Sequence, residues 1–483
     1  MKTAYTADQI RQAEQALMAR LPDGTLMQRA AAGLAAVCAD LLGRVYGSRV
    51  VLLTGSGDNG GDALYAGQRL ARRGARVGVV AAGSKTHEAG LRALLDAGGR
   101  VVDRSAVDEA DLIIDGLVGI GVSGALREPY AELAQRAAAA RGQVVAVDVP
   151  SGVDASTGRV EGAAVRARVT VTMGAYKTGL LVDPGAAHTG RVELVDIGLG
   201  PYLPDPDVAA LTDADLDVLL PRPGNESDKY RRGVLGVAAG GDLFTGAAVL
   251  AVGGALRGGA GMVRYAGRPA PVAQVRSHWP ESVVTELDEP SIARVGRVQA
   301  WVLGPGLGTD DWAHELAAEV LASDVPVLVD ADALTLVARD RSLLWRNAPV
   351  LITPHAGELA RLLRTERDAI EAARLEYARR AAAELGVTVL LKGSTTVVAE
   401  DARPVRVNPT GTSWLATGGT GDVLAGLAGA LIAQGLSCYD AASCGAYLHG
   451  VAGRLAAEGA PLAAGDVATA LPRAIRAVTS AIS

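Results

Sequence analysis

Residues 50–62, Val50-Val-Leu-Leu-Thr-Gly55-Ser-Gly57-Asp58-Asn59-Gly60-Gly61-Asp62, and the Arg76-Val-Gly-Val-Val-Ala81 run beyond them decide the fold of the first half of the chain. An unbroken apolar run bounded by glycine reads as a strand buried on both faces, the pattern of a parallel sheet. Thr54 to Asp62 reads as a Gly-rich turn, Ala63 to Arg73 as a helix stopped by Gly74, and Arg76 to Ala81 as the next strand. Strand, helix and parallel strand make one β-α-β unit, the repeating piece of an open α/β sheet.

The same logic extends in both directions. Thr6 and Gln9 form a capping box ahead of a helix to Leu21 that sets Ile10, Ala13, Leu17 and Met18 on one face, and a second helix covers Thr25 to Leu42. Leu112 to Ile114 and Val144 to Val147 each end in an acid and a glycine-bearing loop, continuing a doubly wound sheet whose ligands sit at the strand carboxyl ends. This series closes near Gly198, and the stiff, turn-rich Gly200-Pro-Tyr-Leu-Pro-Asp-Pro-Asp207 follows. Val234–Ala238, Ala300–Leu303, Val327–Val329, Val350–Ile352 and Val387–Leu391 then start a second series. The expectation is two α/β domains, each a doubly wound sandwich, over residues 1–206 and 207–483.

Composition narrows the function classes. About half of the 483 residues are apolar and the net charge is −6, with no block of Lys or Arg, so neither nucleic acid nor an anionic membrane is expected as a partner. Cys38, Cys438 and Cys444 lack the spacing of a disulfide framework or a zinc site, which fits a reducing compartment. The first residues become charged and helical at once, without an apolar export segment, so the expected location is the cytoplasm.

Gly55-Ser-Gly57-Asp58-Asn59-Gly60 has the G-x-G-x-x-G form after a strand, where backbone amides and a helix dipole favour phosphate. A hydride-transferring site also needs an acid about twenty residues on for the ribose hydroxyl. No Asp or Glu lies between Asp62 and Glu88, which points to a nicotinamide handled as substrate and not as redox cofactor. Three further segments complete the set: Asp115-Gly-Leu-Val-Gly119-Ile-Gly121, Asp148-Val-Pro150-Ser151-Gly152-Val-Asp154 and Tyr176-Lys177-Thr-Gly179. Together they resemble the NAD(P)H-hydrate epimerase family over nearly the whole first 200 residues. The resemblance implies a potassium ion held by Asn59, Asp115 and Ser151, and proton transfer by Asp148. It implies substrate contacts from Asp58, Asn59, Gly60, Gly61 and Asp62, from Gly119, Ile120, Gly121, Val122, Ser123, Gly124 and Ala125, and from Tyr130 and Asp148. Epimerising a hydroxyl-bearing carbon beside a ring nitrogen by ring opening and reclosure needs such a positioned acid or base. Asp58 and Ala63 stand where the family usually has Asn and Gly, and Asp58 adds negative charge close to a dinucleotide phosphate.

In the second half, Gly418-Gly419-Thr420-Gly421-Asp422 opens a helix expected over Val423 to Ala433, so its amides can form an anion hole with Asp422 as base on the first turn. It is accompanied by Gly304-Pro-Gly306-Leu-Gly308, Asp330-Ala-Asp332, Thr353-Pro-His355-Ala-Gly357-Glu358, Lys392-Gly393-Ser394-Thr395-Thr396 and Asn408-Pro-Thr-Gly411. No Gly-x-x-x-x-Gly-Lys-[Ser/Thr] loop occurs, which excludes a Walker-type phosphate site. The order and spacing resemble the ribokinase-like fold and, within it, the ADP-dependent NAD(P)H-hydrate dehydratase family. By that resemblance Lys392, Gly393, Ser394, Thr395, Thr396 and Gly421 bind ADP, while Ala247, Gly306, His355 and Asp422 line the hydrated-dinucleotide site, with Asp422 catalytic. Magnesium is expected with the nucleotide phosphates. Taken alone, His355 after Thr-Pro also reads as a turn residue, and Glu358 as a first-turn charge. The family often has His-Lys-Gly where this chain reads Asp228-Lys229-Tyr-Arg-Arg-Gly233, and an Asp where it has Arg454.

Both halves therefore imply one substrate class. The expected activities are epimerisation of the R and S forms of hydrated NADH and NADPH, and ADP-dependent dehydration of the S form to NAD(P)H, AMP and phosphate. A homo-oligomer is expected as well. The alternative is a small-molecule kinase of the ribokinase-like group carrying a nucleotide-binding regulatory N-terminal domain, since phosphorylating relatives use the same Gly-Thr-Gly-Asp motif.

Overall fold

A computed structural model describes residues 1–83 and 85–479. The chain divides into two compact units, Thr3–Val208 and Met1–Lys2 with the chain from Ala209. Apart from Lys2, the first unit contains β1 (Lys2–Tyr5), β2 (Arg49–Thr54), β3 (Arg76–Ala81), β4 (Arg100–Val101), β5 (Leu112–Gly116), β6 (Gln143–Val147), β7 (Val169–Met173), β8 (Tyr176–Lys177) and β9 (Arg191–Val195). Its seven-stranded sheet has the order β4-β3-β2-β5-β6-β7-β9, with every pair parallel. The short β1 and β8 pair through Ala4 with Tyr176 and Tyr5 with Lys177.

The continuous apolar strands are apolar because both sheet faces are covered. Leu52, Ile114, Val145 and Val147 enter one core with Leu34, Leu64 and Leu70, while Val51, Leu53, Ile113 and Val144 enter another with Leu133. Alternate residues of one strand thus serve opposite layers. The helix Thr25–Leu42 is long and apolar enough by composition to cross a membrane, yet it packs Ala30, Leu34, Ala35, Cys38 and Ala39 into the first of these cores.

Two local readings change. The helix after β2 runs Asp58–Arg72, so it begins inside the stretch that the glycines mark as a turn. Gly60 is there for contact and not for a bend: a β-carbon on it would lie 2.5 Å from the Gly55 carbonyl oxygen. The first helix, Ala7–Met18, has the expected capping box, with Ile10, Ala13 and Leu17 buried. Met18, however, is half exposed and turns to the other face, which it shares with Arg11 and Glu14. Leu17 and Met18 are adjacent and so about 100° apart around a helix, too far to share a narrow buried stripe.

The second unit's strands are β10 (Val208–Ala210) at the division, β11 (Val234–Ala238), β12 (Met262–Gly267), β13 (Val283–Glu286), β14 (Ala300–Leu303), β15 (Val327–Val329), β16 (Val350–Ile352), β17 (Thr388–Leu391), β18 (Thr396–Ala399) and β19 (Val405–Asn408). The order β13-β12-β11-β14-β15-β16-β17 is parallel, β18 adds antiparallel to β17, and β19 adds antiparallel to β18. Val237, Val302, Leu328, Leu351 and Leu390 share a core with Val423, Leu424 and Leu427 of the helix Thr420–Ala433. That helix lies close against the helix Thr245–Arg257, where a β-carbon on Gly426 would come within 1.9 Å of the Ala251 carbonyl oxygen. It starts three residues before the predicted Val423, because Gly419 takes a left-handed conformation, φ 88°, and lets Thr420 begin the first turn.

Candidate active sites

In the first unit β2, β5 and β6 end side by side, and their loops open on a cleft of about 1760 Å³. That exceeds the roughly 300–1,000 Å³ usual for drug-sized ligands and suits something as large as a dinucleotide. Asp58, Asn59, Gly60, Asp62, residues 119–125, Tyr130 and Asp148 all line it. Gly61 does not; its α-carbon faces Met27 and His87.

Asp148 stands one residue beyond β6 in the left-handed region, φ 66°, a strained conformation for a residue with a side chain. Three donors hold its Oδ1: Met173 N–H at 2.9 Å, Thr172 Oγ1 at 3.2 Å and the Lys177 ammonium. Lys177 is fully buried and is itself tied to the Met173 carbonyl oxygen at 2.8 Å. A buried ammonium against a nearly buried carboxylate fixes the latter in place. The Tyr176-Lys177 segment belongs to the sequence pattern, but its partner could be seen only once β7 and β8 were placed beside β6.

Asp115 and Ser151 lie behind the cleft wall. Asp115 is fully buried at the end of β5; its Oδ1 accepts from Ser151 Oγ at 2.7 Å and Leu117 N–H at 3.3 Å, and its Oδ2 from Ser151 N–H at 2.9 Å. Burial pushes its pKa up to about 6, against the pull of those hydrogen bonds. Asn59 Nδ2 donates to the Val147 carbonyl at 2.6 Å and the Val118 carbonyl at 3.2 Å. Two carbonyl oxygens, a carboxylate, a hydroxyl and a side-chain amide therefore lie close together. The carbonyl, carboxylate and hydroxyl oxygens fit a hard cation, while Asn59 turns its Nδ2 and not its oxygen to the two carbonyls. Among the described residues no group of three or more His, Cys, Asp or Glu side chains forms a metal cluster.

Two other acids of this cleft carry shifted protonation. Asp62 has a buried Oδ1 without a hydrogen-bond partner, and burial, reinforced by Asp148, Asp58 and Glu14, raises its pKa well above the carboxylate range. Glu14, which no motif marked, lines the cleft from the first helix and is pushed up to about 7 by burial, with Lys177 pulling down and Asp148 and Asp58 pushing up.

In the second unit the motifs again converge at strand ends. Lys392, after β17, bonds Asp330 Oδ1 at 2.8 Å after β15 and lies 3.9 Å from Glu358 Oε2. Burial opposes its charge, but Asp330 and Glu358 outweigh it and raise its pKa. A β-carbon on Gly421 would sit 3.5 Å from this ammonium, so the start of the helix Thr420–Ala433 and the lysine face one space. Asp422 on the first turn is pushed up to about 7 by burial and by Asp330, with Lys392 opposing. Buried His449, neutral because burial drives its pKa down to about 4, donates Nε2–H to the Thr420 carbonyl at 2.9 Å and fixes that turn.

His355 caps the helix Ala356–Leu363: its Nδ1 accepts from Gly357 and Glu358 N–H at 3.0 and 3.2 Å, and Glu358 Oε2 accepts from His355 N–H at 2.7 Å. Glu358 is thus both a capping partner and a counterion of Lys392. A β-carbon on Gly306 would meet Ala247 at 2.7 Å and Phe244 at 2.8 Å, so these three residues meet, with the ring of Phe244 exposed. Gly393, Ser394 and Thr395 follow Lys392 in the turn between β17 and β18, Thr396 opens β18, and Arg374 Nη2 ties that turn down through the Lys392 carbonyl at 2.7 Å. Arg454 donates to the Pro409 carbonyl at 2.9 Å and the Gly411 carbonyl at 3.3 Å, so it braces the loop before the Gly-rich turn.

Comparison with known proteins follows this division. The NAD(P)H-hydrate dehydratase family model matches residues 235–476, and the YjeF-related protein N-terminus model matches residues 23–179. A bifunctional NAD(P)H-hydrate repair enzyme of Mycobacterium leprae is 46% identical over 490 residues, covering 100% of both chains. The chain belongs to this bifunctional family. Its Escherichia coli (strain K12) member is 37% identical over 414 residues, 83% of this chain and 79% of that one. An ADP/ATP-dependent NAD(P)H-hydrate dehydratase of Bacillus subtilis, crystallised with ATP and magnesium, is 30% identical with a TM-score of 0.52, covering 56% of this chain and 99% of that one. The family therefore combines a Rossmann-like and a ribokinase-like fold in one polypeptide.

Proposed function

We propose that the two sites act in succession on one damaged dinucleotide, with Asp148 central to the first and Asp422 to the second. As a member of its family the chain is a bifunctional isomerase and lyase for hydrated NAD(P)H. The observation that carries the assignment is that each unit gathers its strand ends around a carboxylate of its own, one paired with Lys177 and one facing Lys392.

In the first site, Asp148 removes the proton of the substrate hydroxyl as the ring carbon–nitrogen bond opens, and returns it on closure. Lys177 keeps it oriented, while the helix at Asp58 and residues 119–125 bind the dinucleotide. A potassium ion would be held by Asn59, Asp115 and Ser151, and would supply a fixed positive charge for the substrate's anionic groups.

In the second site, Lys392 and residues 393–396 with Gly421 hold the nucleotide, whose phosphates bring magnesium with them. Ala247, Gly306 and His355 border the hydrated ring, and Asp422 takes the hydroxyl proton as the oxygen attacks the terminal phosphoryl group. The phosphate formed is a far better leaving group than hydroxide, and its departure together with a proton from the neighbouring ring carbon restores the ring double bond. With ADP as phosphoryl donor the products are NAD(P)H, AMP and phosphate. The relative named for ADP and ATP supports either nucleotide as donor. The kinase alternative has the same base and makes the first cleft a regulatory nucleotide site, which leaves the Asp148–Lys177 pair there without a catalytic task.

The test is recovery of reduced-nicotinamide absorbance from mixed-epimer NADH hydrate and NADPH hydrate, with nucleotide, magnesium and potassium. Complete recovery supports the reading. Consumption of nucleotide with a simple alcohol and none with the hydrate would replace it with the kinase. Exchanging potassium for a large organic cation should slow epimerisation alone. Sedimentation measures the proposed homo-oligomer.

A further inference from the structure

We infer that Glu14 is the second proton-transfer group of the epimerase site, the acid that protonates the ring nitrogen while Asp148 deprotonates the hydroxyl. This rests on the assignment of Asp148 above and extends it.

Opening the hydrated ring breaks the carbon–nitrogen bond, turns the C–OH into an aldehyde and leaves a nitrogen that must gain a proton. The hydroxyl proton goes to one group and the nitrogen's proton comes from another. After the aldehyde turns about its bond to the neighbouring carbon, the nitrogen attacks the opposite face and both protons go back. Nothing is oxidised or reduced, and the two groups end as they began. The carboxylate that Lys177 holds in an ion pair is suited to the first task, and the second needs a separate group that can give up a proton.

The helix Ala7–Met18 supplies such a group. Its buried face carries Ile10, Ala13 and Leu17, and the adjoining face, about 100° round the helix, presents Arg11, Glu14 and Met18, spaced by three and four residues, to the cleft that also holds Asp148. Arg11 is engaged by Asp8 at 2.8 Å and by the Ile120 carbonyl at 3.3 Å. Glu14 takes no hydrogen bond or ion pair from the described residues, so its carboxyl has no structural duty that would explain an acid there. The charged groups facing it are Lys177, Asp148, Asp58 and Arg11, with Asp62 across the cleft. Their sum with burial pushes it up to about 7, where protonated and ionised forms coexist.

The experiment measures interconversion of purified R and S hydrates by chromatography, without nucleotide, for the full chain and for Glu14→Gln, Glu14→Asp and Asp148→Asn, with thermal unfolding of each. Wild-type kcat should fall above about pH 7, roughly tenfold per unit. Glu14→Gln should lose at least about 100-fold in kcat and that pH limb with it, and Glu14→Asp should retain part of the rate with the limb displaced. Should the Gln variant fail to fold, the Asp variant decides by the same two readouts. A Glu14→Gln kcat within about threefold of wild type with the limb intact, or a change confined to KM, overturns the inference. Failure of the Asp148 assignment shows separately, as an unimpaired Asp148→Asn.

Discussion

Replacing Asp422 by Asn removes the proposed base of the dehydratase site while keeping its shape. In the folded chain this carboxyl is pushed up to about 7, chiefly by burial and by Asp330. At saturating hydrate and nucleotide, the wild-type rate should climb about tenfold per pH unit below 7 and level off near pH 8. The Asn variant should lose about 10²–10⁴ in kcat, equivalent to roughly 3–5 kcal/mol, and lose the pH limb. Its KM for nucleotide should change little, because Lys392 and the 393–396 turn remain. Stability should move the other way. A carboxyl whose folded pKa lies above its unfolded value stabilises the fold while protonated, and that contribution is lost as pH rises from about 4 through 7. At pH 8 the native Asp therefore carries a cost on the order of 2–4 kcal/mol, reduced by the solvent that reaches it, and the neutral amide does not. Absorbance recovery gives the rate, and thermal melts at pH 5 and pH 8 give the stability. An Asn variant that keeps the pH limb, or that is less stable than wild type at pH 8, would refute the base assignment.

Lys177→Met should cost epimerisation at least about 100-fold and destabilise the first unit by about 3–5 kcal/mol, because Asp148 is left nearly buried without its cation; chemical unfolding with epimer analysis measures both. Gly426→Ala should lower the unfolding midpoint of the second unit and abolish dehydration, since the added methyl would lie 1.9 Å from the Ala251 carbonyl oxygen and force the Asp422 helix away. A scan showing an unchanged midpoint would mean that the two helices can separate freely.

The strands and the motif loops were legible because a parallel sheet buries both faces of each strand and shows this as unbroken apolar runs such as Val50–Leu53. Helix starts were less so. Glycines at 60 and 419 read as turns, yet one meets a neighbouring carbonyl inside a helix and the other caps one. Asp148 and Asp422 stood out through their loops. The ion pairs did not, because Lys177 meets Asp148, and Lys392 meets Asp330, only when strands distant in sequence are set side by side. Glu14 was less visible still: one acid among charged residues of an amphipathic helix has no local pattern to mark it, and only the cleft beneath sets it apart from Asp8. His449 has no such pattern around it, because its bond to the Thr420 carbonyl depends on how two helices pack.

The central claim is that two independent sites in one chain complete one repair. Complementation in trans tests it most directly, using full-length Asp148→Asn and Asp422→Asn, separately and mixed, on a mixed-epimer hydrate with nucleotide, magnesium and potassium. The first variant alone should restore the S fraction and then stall, the second should equilibrate epimers without restoring absorbance, and the mixture should restore everything. An Asp148→Asn chain that clears both epimers at the wild-type rate, or a mixture that stalls as the single variants do, would contradict the account.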